Sequence, residues 1–305
     1  MTRREREGFL WIILAAAGFS VMPTLVKLTY LHSTFEPIDI AIWRFVLATP
    51  IMWALVLYSH RAQRVKTNEK LPIARLLIIG IFVAAAVMAA FFALERLPGS
   101  TYIVLLYAYP AMVALLSRLM GDKIHARTWL ALALALIGVA LTVPNFHTAA
   151  GGDAVGVGLA LLNAAIIAIY YLLTRRALDG VVDVSRASAV MMISTFVIML
   201  MLIPLRGLQF PQNSLTALLL IGIAAFGTVL PIIGVNIAVQ RIGAAQASLV
   251  STVEPIMSMI ISMLILSEVI LTLQWLGAAL IVVSVVVLQL RPRHRIDLSI
   301  AHEAG

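Results

Sequence analysis

Stretches of about twenty mostly apolar residues alternate along the chain with short polar breaks. A helix rises about 1.5 Å per residue, so about twenty such residues cross about 30 Å of hydrocarbon. The pattern predicts membrane-spanning helices over the windows 9–30, 38–58, 73–95, 99–118, 127–144, 153–174, 185–205, 213–239, 244–267 and 272–290. No interval between them is long enough to hold a soluble domain. The first window follows Arg3, Arg4 and Arg6, which is also the layout of a signal peptide. Further hydrophobic windows follow it, so it reads as an uncleaved first helix.

Composition narrows the class. Of 305 residues, 62% are hydrophobic and 12% charged, against about 45–50% and about 25% in soluble domains. A globule of this length cannot bury so much apolar surface, which excludes a soluble enzyme, a disordered chain and a nucleic-acid-binding domain. The net charge of +8 has a membrane explanation. With the N terminus in the cytoplasm, 18 of the 22 Lys and Arg fall inside and only Arg96 and Arg206 outside, while Lys27 and Arg44 lie within helices. Such a bias follows the positive-inside rule and supports an even number of helices with both ends cytoplasmic. The expectation is a multi-pass protein of the cell (inner or plasma) membrane. With no cysteine, the chain has no disulfide or thiolate chemistry.

The two halves look related. At an offset of 145, Arg96-Leu97 meets Arg241-Ile242, Pro110 meets Pro255, Met112 meets Met257, Ser117 meets Ser262 and Leu119 meets Leu264. Trp129-Leu130 meets Trp275-Leu276 after a one-residue slip. The expected organisation is a five-helix repeat over 1–144, a connecting loop over 145–152, a second five-helix repeat over 153–290 and a basic cytoplasmic tail over 291–305. An odd helix number inverts the second repeat, an arrangement common in secondary transporters, whose substrate sites lie near the midplane between the halves.

On these residues the chain resembles the EamA-type branch of the drug/metabolite transporter superfamily. The resemblance runs from Gly8 to Leu290. It is carried by Gly227-Thr228, Asn236-Ile237-Ala238, Arg241-Ile242-Gly243, Ala247-Ser248-Leu249, Glu254-Pro255 and Glu268 in the second half. Pro37, Arg44, the turn from Ala93-Leu94 to Pro98, and Pro110 carry it in the first. Asp122 stands where the family usually has Glu, and helix 6 has Ile167, Tyr170 and Tyr171 where members often have Trp. The resemblance implies ten helices in two inverted five-helix repeats and a central cavity lined mainly by helices 1, 3, 4, 6, 8 and 9. It also implies export of small metabolites, often amino acids.

Candidate chemistry is sparse. Glu254 is the carboxylate placed deep in a helix, and a charge there costs about 2.5–3.5 kcal/mol on insertion scales, so it should face protein or water. Ala247, Ser251, Glu254, Ser258 and Ser262 share its helix face. Glu254 reads as a possible proton site, a substrate-amine site, or a buried structural carboxylate bonded to a neighbouring helix. Pro23, Pro110, Pro231 and Pro255 each remove a helical hydrogen bond, freeing the carbonyls of Phe19, Leu106, Gly227 and Ser251. They are expected as helix kinks, either static or mobile, whose freed carbonyls could meet a substrate amine or a water.

Met88, Phe92, Tyr107, Tyr109, Asn163, Tyr170, Asn236, Ser251, Thr252 and Glu254 are the candidate cavity residues, with core or lipid-facing packing the alternative for each. Aromatic walls with few polar groups suit small amphipathic ligands. Lys27 and Arg44, close in sequence to Glu36 and Asp39, read as an ion pair near the outer surface, or as an outer gate or a contact for an anionic substrate. All six histidines fall in loops, helix ends or tails, and no metal, phosphate-binding or Ser-His-Asp motif occurs, so no catalytic residue, metal or cofactor is expected. The expected partners are a small-molecule substrate and the bilayer, without nucleic acid. The oligomeric state is open, and a monomer suffices. The function expected is a secondary transporter, an exporter working by alternating access. A lipid flippase, a passive channel and a membrane-embedded lipid-modifying enzyme are the alternatives.

Overall fold

The structure is a computed structural model that describes residues 2–63, 70–94, 96–97, 102, 105–142, 154–266 and 271–289. Every regular element among these residues is helical. We label them α1 (Arg3–His32), α2 (Pro37–Gln63), α3 (Ile73–Leu94), α4 (Tyr109–Leu119), α5 (Ala126–Thr142), α6 (Ala154–Ala177) and α7 (Val184–Arg206). Next come α8 (Ser214–Ile242), α9 (Ala244–Val250, continued through Ser251–Val253 and Glu254–Leu266) and α10 (Thr272–Gln289). Among the described residues, seven helices are long and apolar enough to cross a membrane: α1, α2, α3, α6, α7, α8 and α9. The apolar runs of α5 and α10 are shorter. Large apolar side chains such as Leu57, Ile78, Leu119, Met201, Leu218 and Leu264 stand exposed on the outside, where lipid tails would meet them as well as a core does.

Hydropathy misplaces the start of α1 because a cap outweighs polar residues there. The Thr2 hydroxyl accepts from the Glu5 N–H at 3.2 Å, and the Glu5 carboxylate accepts from the Thr2 N–H at 2.7 Å. This reciprocal cap satisfies two helix-end donors, so the helix begins at Arg3, ahead of the apolar window. The added turn puts Glu7 between Arg3 and Arg241, and it pairs with both. Nearby, the Gln240 amide donates to the carbonyls of Leu178 and Val181 at 2.7 and 2.6 Å. The start of α1, the end of α8 and the α6–α7 turn are thereby tied together.

Two apolar clusters form most of the core. One joins α1, α4, α5, α6, α8, α9 and α10 through residues such as Ile12, Val113, Ala164 and Val235. The other joins α2, α3, α7 and α8 through Phe45, Ala84, Met192 and Val229. Small residues set the helix spacing. At Gly80 the backbone of α3 meets α7 so closely that a methyl group would collide with the Met191 carbonyl. The same contact lets Ser194 and Thr195 donate to the carbonyls of Leu77 and Gly80, each at 2.7 Å. Small residues admitting interhelical hydrogen bonds are a usual means of joining helices in lipid.

Candidate functional site

Among the described residues, α4, α8 and α9 stop or change pitch in mid-course, and each break falls at one of the sequence-predicted prolines. A π-turn (Ala225–Val229) precedes Pro231 in α8, and a 3₁₀ turn (Ser251–Val253) precedes Glu254-Pro255 in α9. A turn at Tyr107-Ala108 precedes Tyr109-Pro110, where α4 begins. These prolines therefore sit in the first turn of a restarting helix, where a missing N–H is harmless. Pro23 stays inside a continuous α1.

The breaks decide where freed carbonyls go. The Ser251 carbonyl accepts the Glu254 N–H within the 3₁₀ turn. The Gly227 carbonyl, freed by Pro231, accepts from Arg44 Nη2 at 3.3 Å, and Arg44 Nε donates to Thr228 Oγ1 at 2.7 Å. Each of these two carbonyls thus has a donor within the protein, where the sequence left open a substrate amine or a water. The reading of Arg44 as half of a surface ion pair is also corrected, because its guanidinium turns inward to α8. Asp39 instead accepts the N–H groups of Glu36 and Gln209 at 3.0 and 3.3 Å. Lys27 is exposed on α1.

Glu254 heads the C-terminal segment of α9, near Tyr107. Around it runs a tyrosine cluster. Ring centroids lie 6.0 Å apart for Tyr107 and Tyr109, 5.6 Å for Tyr109 and Tyr171, and 5.8 Å for Tyr170 and Tyr171. Each hydroxyl in the lower part of the cluster ties two helices. Tyr109 donates to the Ser248 carbonyl at 3.5 Å. Ser251 donates to the Ala247 carbonyl, leaving its oxygen to accept from Tyr171 at 3.1 Å. Tyr170 donates to Asn236 Oδ1 at 2.6 Å, and Asn236 Nδ2 donates to Ser188 Oγ at 2.8 Å. Asn163 Nδ2 donates to the Tyr102 hydroxyl at 2.7 Å.

The structure thus brings together Tyr107, Tyr109, Asn163, Tyr170, Asn236, Ser251 and Glu254 of the sequence candidates. Thr252 is fully buried beside them, its hydroxyl spent on the Leu249 carbonyl at 2.7 Å. Met88 packs instead against the α2–α7–α8 cluster, and Phe92 is exposed. The side chains of Phe91, Leu94 and Ser262, together with Pro98, Glu268, the loop expected over 145–152 and the tail over 291–305, lie outside the described residues. Sequence reasoning missed Tyr102, Ser188 and Thr228, and the inward turn of Arg44. One signal was available: Pro231 must orphan a carbonyl, and Arg44 is a donor inside a helix.

The family model for EamA-like transporters matches residues 6–143 and again 154–290. The chain belongs to the EamA-like transporter family. It is 23% identical over 314 residues to an uncharacterized transporter of Synechocystis sp., covering 92% of each chain. A crystal structure of a protein 17% identical to it superposes with a TM-score of 0.77, covering 92% of this chain and 96% of the other. At that identity the likeness concerns the fold. The protein is a multi-pass membrane protein of a transporter family, and that membership points to transport rather than catalysis.

Within this EamA-like transporter the Tyr170–Asn236–Ser188 chain makes a stability prediction. Tyr170→Phe deletes one hydroxyl and leaves Asn236 Oδ1 without its donor. The expected cost is roughly 1 kcal/mol, read as a lower thermal midpoint in detergent. Thr34→Val, which removes an exposed 3.1 Å bond to Gln209, should leave the midpoint unchanged. Equal midpoints for the two variants would show that the Tyr170 bond contributes nothing.

Proposed function

We propose that this protein is a secondary transporter that exports small metabolites such as amino acids by alternating access. Ten spanning helices form two inverted five-helix repeats, with both termini cytoplasmic, in the cell (inner or plasma) membrane. The observation that carries the reading is the paired break at Tyr109-Pro110 and Glu254-Pro255. The two restarts lie at the sequence offset that aligns the halves, and the polar groups of the interior gather beside them. Helices interrupted near mid-membrane, at matching places in two halves, mark the binding site of many secondary transporters. The family model's two matches, over 6–143 and 154–290, support the same division. Tyrosine rings with hydroxyl and amide groups between them stand beside the restarts, which fits a small amphipathic substrate.

Uptake into proteoliposomes, screened across amino acids and related metabolites, tests the function. Acceleration by substrate on the far side identifies a carrier, and flux without such acceleration identifies a channel. Orientation has its own test. The chain has no cysteine, so single cysteines report cleanly. Ser33→Cys, at the end of α1, should react with impermeant reagent from outside, and Asp179→Cys, after α6, only from the cytoplasm. Outside labelling at 179 overturns the proposed topology.

A further inference from the structure

α3 begins at Ile73 and α6 ends at Ala177, and the two helices pack side by side there through Leu76, Ile79, Ala177 and Leu178. Between them lies a cleft of about 370 Å³, lined by Arg75, Ile78 and Ile79 of α3 and by Leu173, Arg176 and Ala177 of α6. Ile79 and Ala177 are buried and form its floor, while Ile78 is 50% exposed and forms its rim. The two helices run in opposite senses. Ile78 and Ile79 follow Arg75 by three and four residues, and Leu173 precedes Arg176 by three. Each helix therefore carries a guanidinium at the mouth of the cleft and aliphatic side chains about one turn, or about 5 Å, further in. Both arginines are exposed. Among the described residues neither has an ion pair or a hydrogen bond, whereas the neighbouring Arg175 is paired with Asp122.

Two bare cations above an apolar cleft have the complement of one kind of molecule. We propose that this cleft holds an anionic phospholipid, with its headgroup phosphate on Arg75 and Arg176 and an acyl chain along Ile78, Ile79 and Leu173. The guanidinium is a planar fork that matches a phosphate with two parallel bonds. Both α3 and α6 are long and apolar enough to cross a membrane, so the cleft sits where hydrocarbon gives way to headgroups. Basic pockets between spanning helices recognise anionic headgroups in this way. A soluble anion satisfies the arginines and leaves the aliphatic walls uncovered, and an uncharged tail does the reverse; a lipid with net negative charge satisfies both. In the topology proposed above, the lipid belongs to the cytoplasmic leaflet. It bridges α3 to α6, so its binding stabilises their packing. The inference needs only that the two helices lie in a membrane, and it holds whatever the protein transports.

The test uses the full-length protein in an uncharged detergent. The probes are dioleoyl-phosphatidylglycerol, dioleoyl-phosphatidylcholine, which has the same chains and no net charge, and inorganic phosphate. Binding is read by lipid titration in native mass spectrometry and by the thermal midpoint. Phosphatidylglycerol should bind about tenfold or more tightly than phosphatidylcholine and raise the midpoint, and phosphate alone should leave the midpoint where it is. Arg75→Gln with Arg176→Gln should abolish the preference between the two lipids. Arg75→Lys with Arg176→Lys should retain part of it, because the charge remains without the fork. Arg118→Gln with Lys123→Gln removes as many exposed cations at the α4–α5 turn, outside the cleft, and should keep the preference whole. If the double glutamine variant of the cleft does not fold, each single variant carries the test, with the preference reduced about threefold in each. Equal affinity for the two lipids makes the cleft an unselective seat for tails and overturns the proposal. A preference lost equally in the Arg118 and Lys123 variant assigns it to general surface charge and overturns it too. So does a midpoint raised as far by inorganic phosphate, which makes the arginines an anion site without a lipid.

Discussion

Glu254→Gln is expected to fold, to go on binding substrate, and to lose the pH-dependence of transport. Glutamine keeps the shape of the side chain and an oxygen that can accept a hydrogen bond, but it cannot gain or lose a proton. A carboxylate that alternates between wet and dry surroundings changes its proton affinity between them. Proton binding and conformational state are then linked, and each biases the other. Glu254 stands at the restart of a broken helix, directly after the 3₁₀ turn of α9. Wild-type transport should therefore vary across about pH 5 to 8, the range in which functional carboxylates are tuned to titrate, and the variant's profile should be flat, with its peak rate down by about tenfold or more. A flat wild-type profile ends the coupling idea. A misfolded Glu254→Gln beside a normal Glu254→Asp would make the residue a structural anchor.

Gly80→Ala is expected to cost the protein much of its stability. The added methyl meets a backbone carbonyl, Met191 O, rather than a side chain that could swing aside. Relief requires α3 and α7 to separate, and separation also stretches the 2.7 Å bonds from Ser194 to Leu77 and from Thr195 to Gly80. Overpacking of this kind costs about 1–3 kcal/mol, and each interhelical bond adds about 0.6 kcal/mol in lipid. Gly158→Ala is the control, since a methyl there meets nothing within 4 Å. Thermal midpoint and monodisperse yield in detergent should fall for Gly80→Ala and hold for Gly158→Ala. Equal behaviour would mean that α3 and α7 do not approach as described.

The sequence by itself determined the properties that local chemistry carries. A run of about twenty apolar residues must be helical and lipid-facing wherever it occurs, because the bilayer core offers no partner to a bare backbone. A proline removes its N–H whatever surrounds it, so Pro110, Pro231 and Pro255 marked candidate breaks, while α1 runs on through Pro23 and only packing decides between the two outcomes. Family membership was legible too, in motifs such as Glu254-Pro255. The tertiary structure decided who answers each exposed group. The Gly227 carbonyl is taken by a guanidinium 183 residues earlier in the chain, and Tyr170 reaches an amide 66 residues later. Nearness in sequence suggested Asp39 or Glu36 as the partner of Arg44, but a long side chain bonds to whatever helix packing brings within about 3 Å. Hydropathy windows average over residues and carry no record of that packing; the direction in which Arg44, Asn163 and Tyr170 point, and hence the shape of the site, exists only once the helices are assembled.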